Sequence, residues 1–245
     1  MGKIIAVVSG KGGTGKTSFT ANTGLALAAL GYHVLCLDCD ITLRNLDLTL
    51  GLGDSALMDF SDVLSGRCTL HEAVVSHPKY PSLDLLAAPT GGSRENLAPE
   101  QMKDLFRQIR EEYSYCLVDS PAGLGLGFHL ATDYADSAVV VTTTDQTALR
   151  DAQRTVMELD RFPTGSVHLV VGRVQRRMLR ALHTTIDDAI DTAGLPLLGV
   201  IPEDGDMTYA LNRGLPLRDC NDYSARAYEN IAKRIAGRRV PLMKI

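Results

Sequence analysis

The chain has 245 residues, with Lys+Arg 25 against Asp+Glu 29 and a net charge of −4. At roughly 100–200 residues per domain this length makes one large domain or two small ones, and 45% hydrophobic with 22% charged residues excludes a disordered chain, a collagen or a coiled coil. The mildly acidic balance, the absence of Trp and the 5% aromatic content argue against a protein that coats nucleic acid or stacks single-stranded bases.

Short apolar runs alternate with helical stretches along the chain. A Val- and Ile-rich run at 4–8 predicts the first strand, and 15–30, rich in Ala and Leu, predicts a helix stopped by Gly31. A second strand follows at 34–37, then an irregular segment at 41–53, where such folds place functional loops. Residues 83–87 predict a strand. A helix over 99–113 starts with Pro99 and Glu100, as helices often do. Strands at 115–118, 138–142, 167–171 and 198–201 are interleaved with helices at 147–159 and 179–193, and 224–236 forms a last helix. The strands are continuously apolar, not alternating, as in a parallel sheet covered on both faces. The expected fold is therefore α/β, a doubly wound, mostly parallel sheet, with residues 1–245 as a single domain.

The five cysteines, Cys36, Cys39, Cys68, Cys116 and Cys220, are scattered and mostly set in apolar runs. That is the usage of reduced, buried thiols. Cys36 and Cys39 form a C-x-x-C, but three residues apart on a strand they point to opposite faces. No apolar run approaches the ~20 residues of a membrane-spanning helix, and the N-terminal apolar run is too short for a secretory signal. A cytoplasmic location is expected.

The first strand runs directly into Gly10-Lys11-Gly12-Gly13-Thr14-Gly15-Lys16-Thr17, a full G-x-x-x-x-G-K-[ST] between a strand and a helix. Glycines let the backbone turn its N–H groups inward as an anion nest, and the helix N-terminus adds partial positive charge. Lys16 is expected on the β- and γ-phosphates of ATP, with the Thr17 hydroxyl on Mg²⁺. The second strand ends in Leu37-Asp38-Cys39-Asp40, and a later one ends in Val118-Asp119-Ser120-Pro121. A carboxylate at the end of an apolar strand is costly unless it meets a cation or donors. Asp119 reads as the acid that holds the Mg²⁺ shell through water. Asp38 and Asp40, two apart, are expected on one face, with Asp40 orienting the attacking water and Asp38 supporting the metal.

The lysine after the first glycine, in K-G-G-T-G-K-T, resembles the deviant Walker A loop of the MinD/ParA family of P-loop ATPases. The similarity extends to residues 38–52 (D-C-D-I-T-L-R-N-L-D-L-T-L-G-L), which resemble switch I of the MinD branch, and to 118–124 (V-D-S-P-A-G-L), which resemble its switch II. It runs from residue 3 to about 235. The resemblance implies that Lys11 crosses to the partner subunit's nucleotide in an ATP-bound homodimer. It implies that Asn45 senses the γ-phosphate, Arg44 orders switch I, and Asp151 lies at the partner-binding surface. It also implies that Arg173, Pro202 and Glu203 form the adenine edge, where Gln175 stands in place of the family's common asparagine. The nucleotide set is then Gly10, Lys11, Gly12, Gly13, Thr14, Gly15, Lys16, Thr17 and Ser18 with that edge, and the cofactors are ATP and Mg²⁺.

The implied function is an ATPase switch that positions the division septum, with a MinC-like inhibitor and a MinE-like or other topological factor as partners. The alternatives are a related positioning ATPase that acts on DNA, flagella or other cargo, and a P-loop small-molecule kinase. The cluster-binding branches of the superfamily are disfavoured, because 120–129 holds no cysteine and Cys220 stands alone late in the chain. Arg173, Arg176, Arg177 and Arg180 crowd the start of the helix predicted at 179–193. The tail from about 237 to 245 is basic, with Arg238, Arg239 and Lys244, and Pro241 interrupts it. It is expected to be too short for the family's membrane-binding helix and to make at most a weak contact with an anionic membrane.

Overall fold

The computed structural model describes residues 1–53, 55–89, 98–213, 215–217 and 222–243. Cys220, Lys244 and Ile245 lie outside the described residues. The strands are β1 (Lys3–Val8), β2 (Val34–Asp38), β3 (Val75–His77), β4 (Tyr80–Leu86), β5 (Tyr115–Asp119), β6 (Ser137–Thr142), β7 (Val167–Val174) and β8 (Leu197–Pro202). They form one sheet in the order β3-β4-β2-β5-β1-β6-β7-β8. Every pairing is parallel except β3 with β4. The first half of the chain builds outward from β1 on one side and the second half on the other. The order therefore reverses at β1, and the crevice at its carboxyl end is where such sheets bind ligands.

Both faces of β1 are buried, as its uninterrupted apolar run requires. Ile5 and Val7 pack under α1 (Lys16–Ala29) and α11 (Asp222–Ile235). Ile4 joins the cluster under α5 (Pro99–Glu112), while Ala6 and Val8 pack with residues of α7 (Gln146–Met157) and α9 (Ile186–Ala193). Cys36 and Cys39 are both fully buried, free, and in different core clusters on opposite faces.

Several elements differ from the sequence reading. The 41–53 segment contains a short helix, α2 (Leu46–Thr49), and two more, α3 (Phe60–Leu64) and α4 (Leu70–Ala73), follow. The last two begin with capping boxes at Asp59 and Thr69, which satisfy amides that a single turn cannot. Two other unanticipated helices are α6 (Leu126–Thr132) and α10 (Gly205–Asn212). The helix predicted at 179–193 is two: α8 (Arg176–Leu182) ends at His183 in a left-handed conformation (φ 50), and Thr185 caps α9 afresh. The arginine cluster consequently straddles elements, with Arg173 in β7 and Arg176, Arg177 and Arg180 in α8. Strand β3 was also unanticipated. It is held by Ser76, whose hydroxyl donates to the buried Asp84 of β4 at 2.6 Å, while Tyr113 Oη donates to the other oxygen at 2.9 Å.

The carboxyl end of α11 is closed by Gly237 (φ 78), with Gly237 N–H on the Arg234 carbonyl and Arg238 N–H on that of Lys233. The chain then folds back. Arg234 donates to the carbonyls of Leu198, Val240 and Pro241 at 2.8, 3.1 and 2.7 Å, strapping the segment after the helix to β8. α11 lies so close to β8 that a Cβ on Gly199 would sit 2.4 Å from Cγ1 of the fully buried Ile231. Gly199→Ala is expected to cost about 1–3 kcal/mol of stability by overpacking, read as a lower urea midpoint. An unchanged midpoint would show that α11 can move off the sheet.

Candidate nucleotide-binding site

The loop after β1 turns through left-handed glycines, Gly13 at φ 77 and Gly15 at φ 94, into α1. Gly10 is needed for another reason: a Cβ there would lie 2.5 Å from the Asp151 carbonyl oxygen. The loop is thus packed on the backbone of α7. Lys16 points inward, its Nζ 2.8 Å from Ser9 Oγ, and the Ser9 hydroxyl in turn donates to the Lys11 carbonyl at 2.7 Å. Burial lowers the Lys16 ammonium's pKa, and the charges of Asp119 and Asp40 oppose that shift. The Thr14 hydroxyl is buried in the same loop without a hydrogen-bond partner, a cost that a bound phosphate oxygen removes.

Parallel pairing sets Asp38 of β2 directly beside Asp119 of β5, and Val7 of β1 on the other side. Asp119 is 1% exposed. Thr17 Oγ1 donates to its Oδ2 at 2.7 Å, and Thr20 Oγ1 lies 3.1 Å from its Oδ1. Burial raises the Asp119 pKa from its ordinary 3.8 to about 6, against the hydrogen bonds from Thr17 and Thr20 and the charge of Lys16. Asp38 goes further, to about 8, through burial first and the charge of Asp119 second.

The second strand stops at Asp38, so the expectation that Asp38 and Asp40 share a strand face does not hold. They are joined instead through the backbone: Asp38 Oδ1 accepts from Asp40 N–H at 2.8 Å and Oδ2 from Leu46 N–H at 3.2 Å. Asp38 thereby pins both ends of the segment resembling switch I. Asp40 Oδ1 holds the amides of Thr42 and Leu43, each at 3.0 Å. Arg44, in a left-handed conformation (φ 42), reaches inward to Asp47 at 3.0 Å and to the Ala56 carbonyl at 3.2 Å. Asn45 is exposed at the N-terminus of α2.

Lys11 faces the other way from Lys16. Its Nζ donates to Thr147 Oγ1 at 2.7 Å and to Asp145 Oδ1 at 3.3 Å, at the start of α7. Burial works to raise the Asp145 carboxyl, but hydrogen bonds from Thr143, Thr147, the Ala148 amide and Lys11 outweigh it and hold it well below the usual range. Asp151 lies on α7, partly exposed, 3.7 Å from Arg154. At the groove's far edge Arg173 adopts φ 54, with its guanidinium 3.3 Å from the Gly13 carbonyl and 3.0 Å from Glu203. The Arg173 bond is the leading cause of the lowered Glu203 pKa. Gln175 donates to the other Glu203 oxygen at 2.8 Å. Pro202 ends β8 beside this pair, and Ser18 sits one residue beyond Thr17 in α1. Sequence reasoning missed Ser9, Thr20, Asp145 and Thr147. Only Asp145 carried a signal, as the helix-capping Asp before 147–159.

Among the described residues no group of three or more His, Cys, Asp or Glu could cage a metal. A hydroxyl and one or two carboxylates beside a phosphate cradle suit Mg²⁺, which binds through substrate phosphates and its own waters. Thr17 and Asp119 are the residues that fit it.

These carboxylates set a pH dependence. Both have folded-state pKa values above the ordinary 3.8, Asp119 at about 6 and Asp38 at about 8. Their contribution to stability is complete below about pH 4 and is lost as pH rises through 6 and then 8. Without Mg²⁺ and nucleotide, Tm is expected to fall between pH 5 and pH 9 by at least the ~2–4 °C that 1 kcal/mol produces in a domain of this size. Asp38→Asn should flatten that slope. A Tm that is level or rising over the same interval in scanning calorimetry would contradict it.

The CobQ/CobB/MinD/ParA nucleotide binding domain family matches residues 5–217. The septum site-determining protein MinD of Bacillus subtilis is 39% identical over 246 residues, covering 99% of this chain and 92% of that protein. The MinD chain in a MinC:MinD cell division protein complex from Aquifex aeolicus superposes with a TM-score of 0.91 at 35% identity, covering 99% of this chain and 98% of that one. MinD of Pyrococcus horikoshii, solved with Mg-ADP, gives 0.84 at 29% identity, covering 96% of each chain. With the phosphate loop, the buried carboxylate and a full-length match in both sequence and fold, the chain belongs to the CobQ/CobB/MinD/ParA family of nucleotide-binding proteins.

Proposed function

We propose that this chain is a MinD-like ATPase that binds ATP with Mg²⁺ and acts in placing the cell-division septum. Full-length similarity to MinD proteins supports that activity. The switching mechanism rests on one observation. The Lys11 side chain turns away from the phosphate cradle to the surface, where among the described residues its ammonium is held by an exposed pair with Asp145 and Thr147. Lys16 points into the loop, onto Ser9 Oγ, where it would meet the chain's own nucleotide. An exposed pair is worth little, ~0–1 kcal/mol, so Lys11 is free to exchange Asp145 for a phosphate on a second copy. We infer that ATP closes two copies face to face and that Lys11 supplies charge across the interface.

In that state the loop amides and Lys16 hold the β- and γ-phosphates. Asp40 orients the attacking water, while Asn45 reads the γ-phosphate. Mg²⁺, when bound, neutralises charge that develops on the phosphate oxygens. Catalysis is then positioning and electrostatic stabilisation, and turnover is slow until a partner completes the site. A MinC-like inhibitor is the first partner, by analogy with the Aquifex complex, with Asp151 on α7 in its path. A MinE-like topological factor is the second.

Light scattering with ATP and Mg²⁺ tests this. The wild-type chain should dimerise, and Asp40→Ala should hold a lasting dimer because hydrolysis is lost. Lys11→Ala should bind ATP as a monomer, and Lys16→Ala should lose ATP binding altogether. Equal dimers from Lys11→Ala would remove that lysine from the interface, and ATPase turnover of 1–100 s⁻¹, the range of kinases, would favour a metabolic enzyme over a switch.

We further propose a cytoplasmic protein that touches the inner face of the cell membrane. Arg238 and Arg239 are exposed, and Leu242 is half exposed, on the strapped segment after α11. Each cation near an anionic leaflet contributes ~1 kcal/mol before screening, too little for one copy, and a dimer doubles it. Co-sedimentation with phosphatidylglycerol vesicles is expected to require ATP and to vanish at a few hundred millimolar salt, where the Debye length falls below ~6 Å. Salt-resistant binding of the ADP form would overturn it.

A further inference from the structure

We propose that Thr20 is a positioning residue for the metal site: its hydroxyl fixes the Asp119 carboxylate so that one oxygen faces Thr17 and Mg²⁺. This rests on Asp119 being the carboxylate of the Mg²⁺ shell. Thr20 stands one helical turn after Lys16 on α1, is fully buried, and meets Asp119 from a position 99 residues away in the chain. Its Oγ1 is 3.1 Å from Asp119 Oδ1 and 3.1 Å from the Lys16 carbonyl. One hydroxyl proton cannot serve both acceptors fully. The Lys16 carbonyl is an ordinary helix acceptor, whereas the carboxylate carries charge, so the proton belongs to Asp119.

The two hydroxyls on this carboxylate differ in what else they must do. Thr17 donates to Oδ2 at 2.7 Å, and its hydroxyl would also help to hold Mg²⁺. Thr20 has no phosphate or metal to serve. The terminal torsion of an Asp side chain is broad and two-fold, and at 1% exposure no bulk water steadies it. Thr20 therefore narrows that broad torsion to one plane of the carboxylate, and it also ties β5 to the helix that carries Lys16 and Thr17. The phosphate loop and the metal carboxylate are then held at one fixed distance before any ligand arrives.

Partners of this kind, one shell out from a metal, typically change its affinity by 10–100-fold when removed. The experiment titrates Mg²⁺ into the full chain mixed with a fluorescent ATP analogue. It is run on wild type, Thr20→Val, Thr20→Ser, Asp119→Asn and the Thr20→Val/Asp119→Asn pair, and nucleotide affinity in EDTA and Tm are measured alongside. Thr20→Val, of nearly the same shape, should weaken apparent Mg²⁺ affinity about 10–100-fold and leave EDTA nucleotide affinity unchanged. Thr20→Ser should restore it. In the Asp119→Asn background, Thr20→Val should have no further effect on Mg²⁺. Should Thr20→Val fail to fold, Thr20→Ala removes the same hydroxyl without adding a methyl, and the same loss is expected. Wild-type Mg²⁺ affinity in Thr20→Val, an equal loss in EDTA, or a full additional loss in the Asp119→Asn background each overturns the proposal. Wild-type Mg²⁺ affinity in Asp119→Asn itself would instead remove Asp119 from the metal.

Discussion

The structure turns on a carboxylate that the parallel register forces into the rim of the sheet. β1, β2 and β5 are in contact through Val7, Asp38 and Asp119 at one level, so two acids meet where water hardly reaches. Among the described residues, neither is paired with a guanidinium. Asp119 is offset by Thr17, Thr20 and the ammonium of Lys16, and Asp38 by two loop amides. Such an arrangement is unfavourable for ionised carboxylates until a cation arrives. The alignment of the strands thus favours a cation such as Mg²⁺ at this rim.

That alignment also gives the two acids different work. Asp119 keeps its oxygens toward hydroxyl groups of α1, the helix of the phosphate loop. Asp38 has both oxygens turned to backbone amides, at Asp40 and Leu46, so it acts on the loop between them. Asp40 extends the chain of control by holding Thr42 and Leu43, and Arg44 ties the same loop to Ala56. The segment that resembles switch I is thus tied by hydrogen bonds to Asp38, which stands in register beside Asp119. Leu43, Leu48 and Leu57 stay exposed on that side, at 66%, 59% and 91%.

Much of this was legible because the physics was local or strongly patterned. A strand buried on both faces must be apolar throughout, so seven strands could be read directly, and a phosphate loop between a strand and a helix has few other uses. What could not be read depended on partners distant in sequence. Strand β3 is three residues of Val, Ser and His, and it exists because Ser76 meets Asp84. The break between α8 and α9 has no glycine or proline to announce it; His183 takes a left-handed conformation and Thr185 begins a new cap. Placing Asp38 and Asp40 on one face failed because the strand ends where the loop amides turn back to the first carboxylate. Thr20 had no motif at all, since its partner lies on another strand.

The same distinction explains why α7 matters to the phosphate loop. Gly10 is pressed against the Asp151 carbonyl, and Lys11 reaches Asp145 and Thr147 at the start of the same helix. The first two residues of the loop thus rest on α7, whereas Lys16 and Thr17 are fixed to the sheet through Ser9 and Asp119. One part of the cradle is anchored at the ends of β1 and β5 and the other to α7 at Asp151, whose carboxylate pairs with Arg154 on the same helix. A ligand on α7 that pushed the helix toward the loop would meet Gly10, where there is no room even for a methyl group against Asp151. In the proposed dimer, Lys11 is the charged group on this side of the loop that would exchange Asp145 and Thr147 for a new partner.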